Sequence, residues 1–448
     1  MNDKSSREIA LEVIHRVTKG GAYANILLPK KLAQSRLDKR DRAFVTELTY
    51  GTLRALGTLD WIIKQFSKQK LDKIPDLVLD LLRMSIYQII YMDVPDHAAV
   101  NEAVVIAKSY FHPGISKFVN GVLRAIARGQ DKIPWPRKDK DPARYISLKY
   151  FHPLWLVKMW IEDFGVDETQ ALCKANNRPP KLTVRVNMLK TTPEKLTEIF
   201  EKAGWEVNPG KYLEEALVVN GVGDLSSLPQ YKKGYFYVQD ESSMIISHVV
   251  DPQPGETILD IAAAPGGKTT HIAELMENNG QILSVDINPN RVNLMRENIR
   301  RMGASIAQAI RADATKLKPV IKKPVDRVLC DVPCSGLGVL ARRPDARWTK
   351  NPEQIEELSS LQTKMLTSVA DFVKPGGVLV YSVCTIDKPE TRLVVERFLR
   401  IREDFYVDDV APYLPESLRS DVRDGTIQLM PNRHGIDGLF IARLRRIA

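Results

Sequence analysis

A chain of 448 residues is too long for one hydrophobic core, so two or three domains are expected. Its 44% hydrophobic and 27% charged residues are ordinary for a soluble protein, and no apolar run reaches the length that spans a bilayer. Four scattered cysteines exclude a disulfide framework, and the polar, then amphipathic start "MNDKSSREIALEVIHRV" lacks a secretory apolar region, so a cytoplasmic protein with free thiols is expected.

The formal charge of +10 lies in the first third: residues 1–150 hold 26 Lys and Arg against 16 Asp and Glu, while residues 151–448 hold 39 of each. Such an excess suits a solvated surface or a nucleic-acid partner. Along the same segment, apolar residues recur at helical spacing in "REIALEVIHRV", "LVLDLLRMSIYQIIY" and "HAAVNEAVVIAKSY", with stops at Gly20-Gly21, Pro75, Pro95 and Pro113-Gly114. Residues 1–130 therefore read as an all-helical domain. The proline- and charge-rich stretch "DKIPWPRKDKDPARY" opens a linker over 131–153. Residues 154–237 mix strand-like runs ("LTVRVNML", "ALVVN", "GYFYVQ") with the helix-like "TPEKLTEIFEKAG", a small α+β unit.

From 238 to 448 the runs "TILDIA", "QILSVDI", "VDRVLCDV", "VLVYSVC" and "GLFIARL" alternate with helical stretches, the pattern of a parallel sheet covered on both faces, a Rossmann-like α/β domain. Ligands of such sheets bind at the carboxyl ends of the strands. After the first run comes "DIAAAPGGKTT". Gly266 and Gly267 allow a sharp turn and close approach at a helix start, and Asp286, 19 residues beyond Gly267, ends the second run where a carboxylate can accept ribose hydroxyls. An adenosine-containing ligand is indicated. A dinucleotide calls for G-x-G-x-x-G, which is absent; a P-loop calls for glycine where Ala262 stands; S-adenosylmethionine, cationic and free of phosphates, suits a loop flanked by Asp260, Asp286 and Asp313.

Cys334 in "CDVPCSGLG" and Cys384 in "VYSVCTI" each follow a predicted strand. Beside a methyl donor, a thiolate adding to C6 of a pyrimidine makes C5 nucleophilic; a carboxylic acid then offsets charge at N3, and a base must take the C5 proton. Asp331, Cys334 and Cys384 are candidates for these tasks, with the two cysteines interchangeable on position alone. Cys330, inside its run, and Cys173, on a helical stretch, read as small buried hydrophobes. No C-x-x-C spacing supports zinc bound by Cys330, Cys334, Cys384 and His434, and no metal is expected.

"DIAAAPGGKTTHI", "CDVPCSGLGV" and "VYSVCTI" together resemble the RNA cytosine-5 methyltransferases of the Fmu/Sun family, as do "VQDESSM", "RVNMLK", "RRPDARW" and "HGIDGLFIARL"; the helical start is similar to NusB-type RNA-binding domains. The resemblance implies C5 methylation of a cytosine in small-subunit (16S) ribosomal RNA by a monomer without membrane attachment; another RNA (tRNA or large-subunit rRNA) or a non-catalytic NusB-like module are the alternatives. It implies an S-adenosylmethionine site formed by Ala262, Ala263, Ala264, Pro265, Gly266, Gly267 and Lys268 with Asp286, Asp313 and Asp331. It also implies Cys384 as nucleophile, Cys334 as the residue that releases product, Asp331 at the N3 edge of the cytosine, and Lys268 close by. Ala262 departs from the cysteine frequent at that position in the family.

Overall fold

The computed structural model of the chain describes residues 4–221 and 225–448. Two compact units form, one from residues up to Arg178 with Leu340–Thr349, the other from Pro179–Val339 with Lys350–Ala448.

Unit 1 is helical, with helices at Ser6–Thr18, Ala24–Ala33, Lys39–Phe66, Asp76–Tyr91, Asp96–Tyr110 and Pro113–Arg128. The stops read from the sequence coincide with their ends: Pro75 and Pro95 are N-caps and Pro113 opens its helix. At the first start, the Ser5 hydroxyl accepts the Glu8 N–H while the Glu8 carboxylate accepts the Ser5 N–H, a capping box. Ile14, Leu48, Leu59, Leu82, Ile86 and Leu123 fill the centre. Asp80, buried among them, accepts hydrogen bonds from Thr18 and Arg83 and meets His15 Nδ1 at 2.9 Å. The polar stretch after Arg128 is less extended than its composition suggests. Ile133 joins this core, Trp135 packs against Trp61 in a tilted arrangement with ring centroids 5.1 Å apart, and Pro142–Lys149 is a helix capped by Asp141. Helices Leu154–Phe164 and Val166–Ala175 follow in the same unit. The segment Leu340–Thr349 docks here too: Trp348 Nε1 donates to Leu53 O, and buried Arg347 donates to Phe151 O and Asn177 Oδ1.

Unit 2 contains two sheets. Strands β1 (Thr183–Val186), β2 (Glu206–Pro209), β3 (Ala216–Asn220) and β4 (Phe236–Val238) form an antiparallel sheet in the order β2-β3-β1-β4, packed through Val184, Val186 and Phe236 on Leu196 and Phe200 of the helix Pro193–Lys202. The larger sheet holds β5 (Thr257–Ile261), β6 (Gln281–Asp286), β7 (Ala307–Arg311), β8 (Val325–Asp331), β9 (Val373–Val383), β10 (Phe405–Asp408), β11 (Val422–Arg423), β12 (Thr426–Leu429) and β13 (Leu439–Arg446). Its order is β11-β12-β13-β9-β8-β5-β6-β7, with β10 also on β13. Neighbouring residues in the central strands point to opposite faces. Leu259, Val328 and Leu379 pack with Leu366 and Phe398 of the helices Pro352–Ala370 and Arg392–Ile401, whereas Ile258, Leu329 and Val380 pack with Val249 and Ile272 of the helices Glu241–Val250 and Gly267–Leu275.

The expected parallel sheet is corrected to a mixed one. β9, β8, β5, β6 and β7 run parallel, but the "GLFIARL" strand β13 is antiparallel to β9, with Phe440 opposite Val383. The link from β12 to β13 is too short for the helical crossover that parallel neighbours need, so these two pair antiparallel.

Helix Lys39–Phe66 approaches Asp76–Tyr91 so closely at Gly51 that an added Cβ would collide with the Tyr87 ring. We expect Gly51→Ala to destabilise the protein by about 1–3 kcal/mol through overpacking, despite the better helix propensity of alanine. Urea unfolding of the two proteins measures the difference.

Candidate active site

The carboxyl ends of adjacent parallel strands bring the sequence-derived residues together. Leaving β5, Ala262 turns the chain at φ 53°, a left-handed conformation costing about 1–2 kcal/mol outside glycine. Ala263 N–H donates to Val285 O of β6, fastening the loop to the next strand. Gly266, at φ 97°, caps the helix Gly267–Leu275; a Cβ there would stand 3.2 Å from Met295 Cγ. The carbonyls of Ala264 and Pro265 accept from Arg291 and Asn298 of the helix Pro289–Met302, so the loop is held from outside and its helix N-terminus is left facing the strand ends.

Three acids line this row. Asp286 ends β6 almost fully buried; its Oδ1 accepts the Asn288 N–H, while Oδ2 accepts no hydrogen bond among the described residues and has Arg291 Nη1 at 3.5 Å. Asp313, beyond β7, accepts from the amide and hydroxyl of Thr315, and these bonds hold its carboxyl below the usual range. Asp260 is 1% exposed and bonded on Oδ2 to the Thr269 hydroxyl, with Oδ1 lacking a partner among the described residues; burial pushes its pKa up to about 7.

Asp331 ends β8. Its Oδ2 lies 2.7 Å from Lys268 Nζ, and its Oδ1 accepts the Ser382 hydroxyl of β9. Burial works against the Lys268 charge, but Asp331, with Asp260 and Cys384, reverses this and leaves the ammonium harder to deprotonate than a free lysine. Just beyond, Cys334 Sγ and Cys384 Sγ are 2.8 Å apart. The contact with Cys384 and burial raise the Cys334 thiol well above its ordinary pKa, so Cys334 keeps its proton. Cys330 and Cys173 are fully buried, with thiols pushed up by burial.

Two supports escaped the sequence reading. Arg185 of β1, fully buried, donates to Gly267 O and Thr270 Oγ1 and forms a two-pronged pair with Glu274, tying the small sheet to the helix that carries Lys268. Its signal was the "RVNMLK" run, which resemblance had marked without a role. Glu390 and Asp387 lie behind the cysteines; acids three and six positions past Cys384 were visible, but their inward direction was not. A cluster of Glu215, His248 and His271 also has metal-ligating side chains. There, Glu215 Oε1 is 2.7 Å from His248 Nε2 and 3.2 Å from His271 Nε2. Tetrahedral zinc ligands with bonds of about 2 Å stand about 3.3 Å apart, so the 2.7 Å contact is a hydrogen bond holding two helices to the start of β3.

Comparison with known proteins agrees with this architecture. The family model "16S rRNA methyltransferase RsmB/F" matches residues 247–445, "NusB family" matches 4–128, and "Methyltr_RsmF/B-like, ferredoxin-like domain" matches 152–226. The chain is 40% identical over 449 residues to "Probable ribosomal RNA small subunit methyltransferase B" of Bacillus subtilis, covering 100% of both chains. Among solved structures, PH0851 superposes with TM-score 0.83 at 27% identity, covering 99% of each chain. NSun6 from Pyrococcus horikoshii, solved with SFG, superposes with TM-score 0.58 at 26% identity, covering 65% of this chain and 97% of its own. The fold is that of a methyltransferase. The chain belongs to the RsmB/F methyltransferase family.

The raised pKa of Asp260 makes a stability prediction. Its carboxyl titrates near 7 in the folded protein and near 3.9 unfolded, so the native state holds the proton more tightly and loses stability as pH rises between those values, by at most about 4 kcal/mol. We expect Asp260→Asn to melt at a higher temperature than the parent at pH 8, with the advantage shrinking toward pH 4. Thermal melts across this range check it, and an advantage that grows toward acid would contradict the assignment.

Proposed function

We propose that the protein uses S-adenosylmethionine to methylate C5 of a cytosine in small-subunit (16S) ribosomal RNA, with Cys384 as nucleophile. The observation that carries this reading is the meeting of Cys334 and Cys384, sulfurs 2.8 Å apart, beside the Lys268–Asp331 ion pair. The relative named as a small-subunit ribosomal RNA methyltransferase supports the substrate class, and the neighbour solved with SFG, an S-adenosylmethionine analogue, supports the donor.

The residues present fit that donor. Asp286 Oδ2, buried without a hydrogen-bond donor among the described residues, suits a ribose hydroxyl. Gly266 supplies the left-handed turn that starts the loop's helix, and Asp260, Asp286 and Asp313 suit a cationic ligand. When bound, the donor supplies an electrophilic methyl group.

The chain's own groups do the rest. The Cys384 thiolate adds to C6 of the cytosine, forming a C–S bond and shifting the C5=C6 electron pair toward C5. The Lys268 ammonium, held by its ion pair with Asp331, offsets the negative charge that develops at the N3 edge. The target base must leave any helical stack to reach the sulfur. After C5 is alkylated, loss of its proton to a base restores the double bond and expels Cys384. Cys334, kept protonated against Cys384, is placed to assist that departure by giving its proton to the leaving sulfur.

The test uses labelled S-adenosylmethionine with protein-free small-subunit RNA, and large-subunit RNA and tRNA as separate arms. We expect 5-methylcytosine in small-subunit RNA only, no product from Cys384→Ala, and from Cys334→Ala a protein–RNA adduct that survives denaturation. Adducts from Cys384→Ala would exchange the two roles; label in another RNA arm alone would move the substrate.

A further inference from the structure

We propose that Glu390 and Asp387 form a proton-sharing carboxyl pair that clasps the two cysteine loops together, making both of them positioning residues for the reaction; this inference rests on the cysteine assignment above. Both side chains are fully buried. Each loop is held through the residue that follows its cysteine. Ser335, after Cys334, donates its amide to Glu390 Oε1 at 2.9 Å, and Thr385, after Cys384, donates its hydroxyl to Asp387 Oδ2 at 2.6 Å. The Ser335 and Thr385 hydroxyls are 2.8 Å apart, and Ser335 Oγ also reaches Asp387 Oδ2 at 3.2 Å. Gln362 adds a strut, its Nε2 donating to both Glu390 Oε1 and Pro333 O.

The pair's proton follows from its surroundings. Two carboxylates enclosed side by side cannot both be charged at low cost. Glu390 Oε2 accepts no hydrogen bond among the described residues, and the two carboxyls are within hydrogen-bonding reach of each other, so one proton between them turns an unsatisfied acceptor into a donor. Burial, then the Asp387 charge, pushes Glu390 up to about 8, and Asp387 is raised as well. The titratable groups facing them are Cys334 from the loop after β8 and Tyr381 from β9, whose hydroxyl donates to Glu390 O. On the helix side Arg397 reaches Ser359 beside Gln362, and Lys388, between the two acids in sequence, is exposed. With one proton the clasp is closed. Losing it sets two like charges against each other behind Cys334, which loosens the spacing of the sulfurs and strengthens the field against a thiolate there.

Glutamine can mimic protonated Glu390, its carbonyl accepting from Ser335 and its N–H donating to Asp387; alanine can do neither. In the full-length protein we expect Glu390→Ala to lower kcat about 100-fold with little change in KM for S-adenosylmethionine. Glu390→Gln should recover to within about threefold of the parent and lack the alkaline decline expected of the parent above pH about 8. A second measurement needs no RNA: peptide-resolved alkylation of Cys334 and Cys384 should speed up about tenfold in Glu390→Ala and remain at the parent rate in Glu390→Gln. The inference is overturned if glutamine is as damaging as alanine in both assays, or if alanine changes neither. Failure of the intact protein to methylate C5 would instead remove the functional reading, and alkylation would still decide whether the pair sets the thiols.

Discussion

The parallel register of β8 against β9 sets Asp331 opposite Ser382, and the hydroxyl of Ser382 closes the pairing by donating to the Asp331 carboxylate. Cys334 lies three residues past one strand end and Cys384 one residue past the other, so this register delivers both sulfurs to one place. A one-residue slip would turn Ser382 to the other face and carry Cys384 away from its partner. Further contacts make the slip harder. Gly338 N–H donates to Cys384 O, and Gly438 N–H donates to Gly338 O across an approach that leaves no room for a Cβ on either residue. The same register places Asp331 against Lys268, linking the donor loop to the thiols through one ion pair.

That link is stiff because the donor loop is supported from behind. Arg185 reaches from the small sheet to the first turn of the loop's helix, and its pair with Glu274 is buried. A buried ion pair is a weak source of stability, since desolvation offsets most of the attraction, but it is demanding about geometry. Its value here is therefore positional: it holds the helix start from which Lys268 projects. Asp260 shows the opposite case, a carboxyl whose burial disfavours its charge and whose second oxygen has no donor among the described residues. A cationic ligand beside it would relieve that cost.

Much of this was legible in the sequence because it depends on local pattern. Helical periodicity and Pro75, Pro95 and Pro113 mark the helices of unit 1, since proline lacks the N–H that a helix interior requires. Apolar runs ending in Asp286, Asp331 and Cys384 mark strand ends, as two-sided burial demands continuous hydrophobic stretches. β7 escaped because "AQAIR" is an edge strand whose residues are largely half-buried or exposed, without an apolar signature. The direction of β13 against β9 escaped because an apolar run carries no sign.

By itself the sequence determined the class of fold, the family and the residues at the strand ends, because composition, periodicity and motif order are properties of the chain. Tertiary structure alone decided how those residues act on one another. It put Cys334 in contact with Cys384, gave Asp331 both Lys268 and Ser382, and turned Glu390 and Asp387 inward behind the two thiols. It also grouped Leu340–Thr349 with the helical unit, far from it in sequence. Proton affinity and hydrogen-bond partnership depend on burial and on distances of a few ångströms between residues that are remote along the chain, and those distances exist only once the strands are in register.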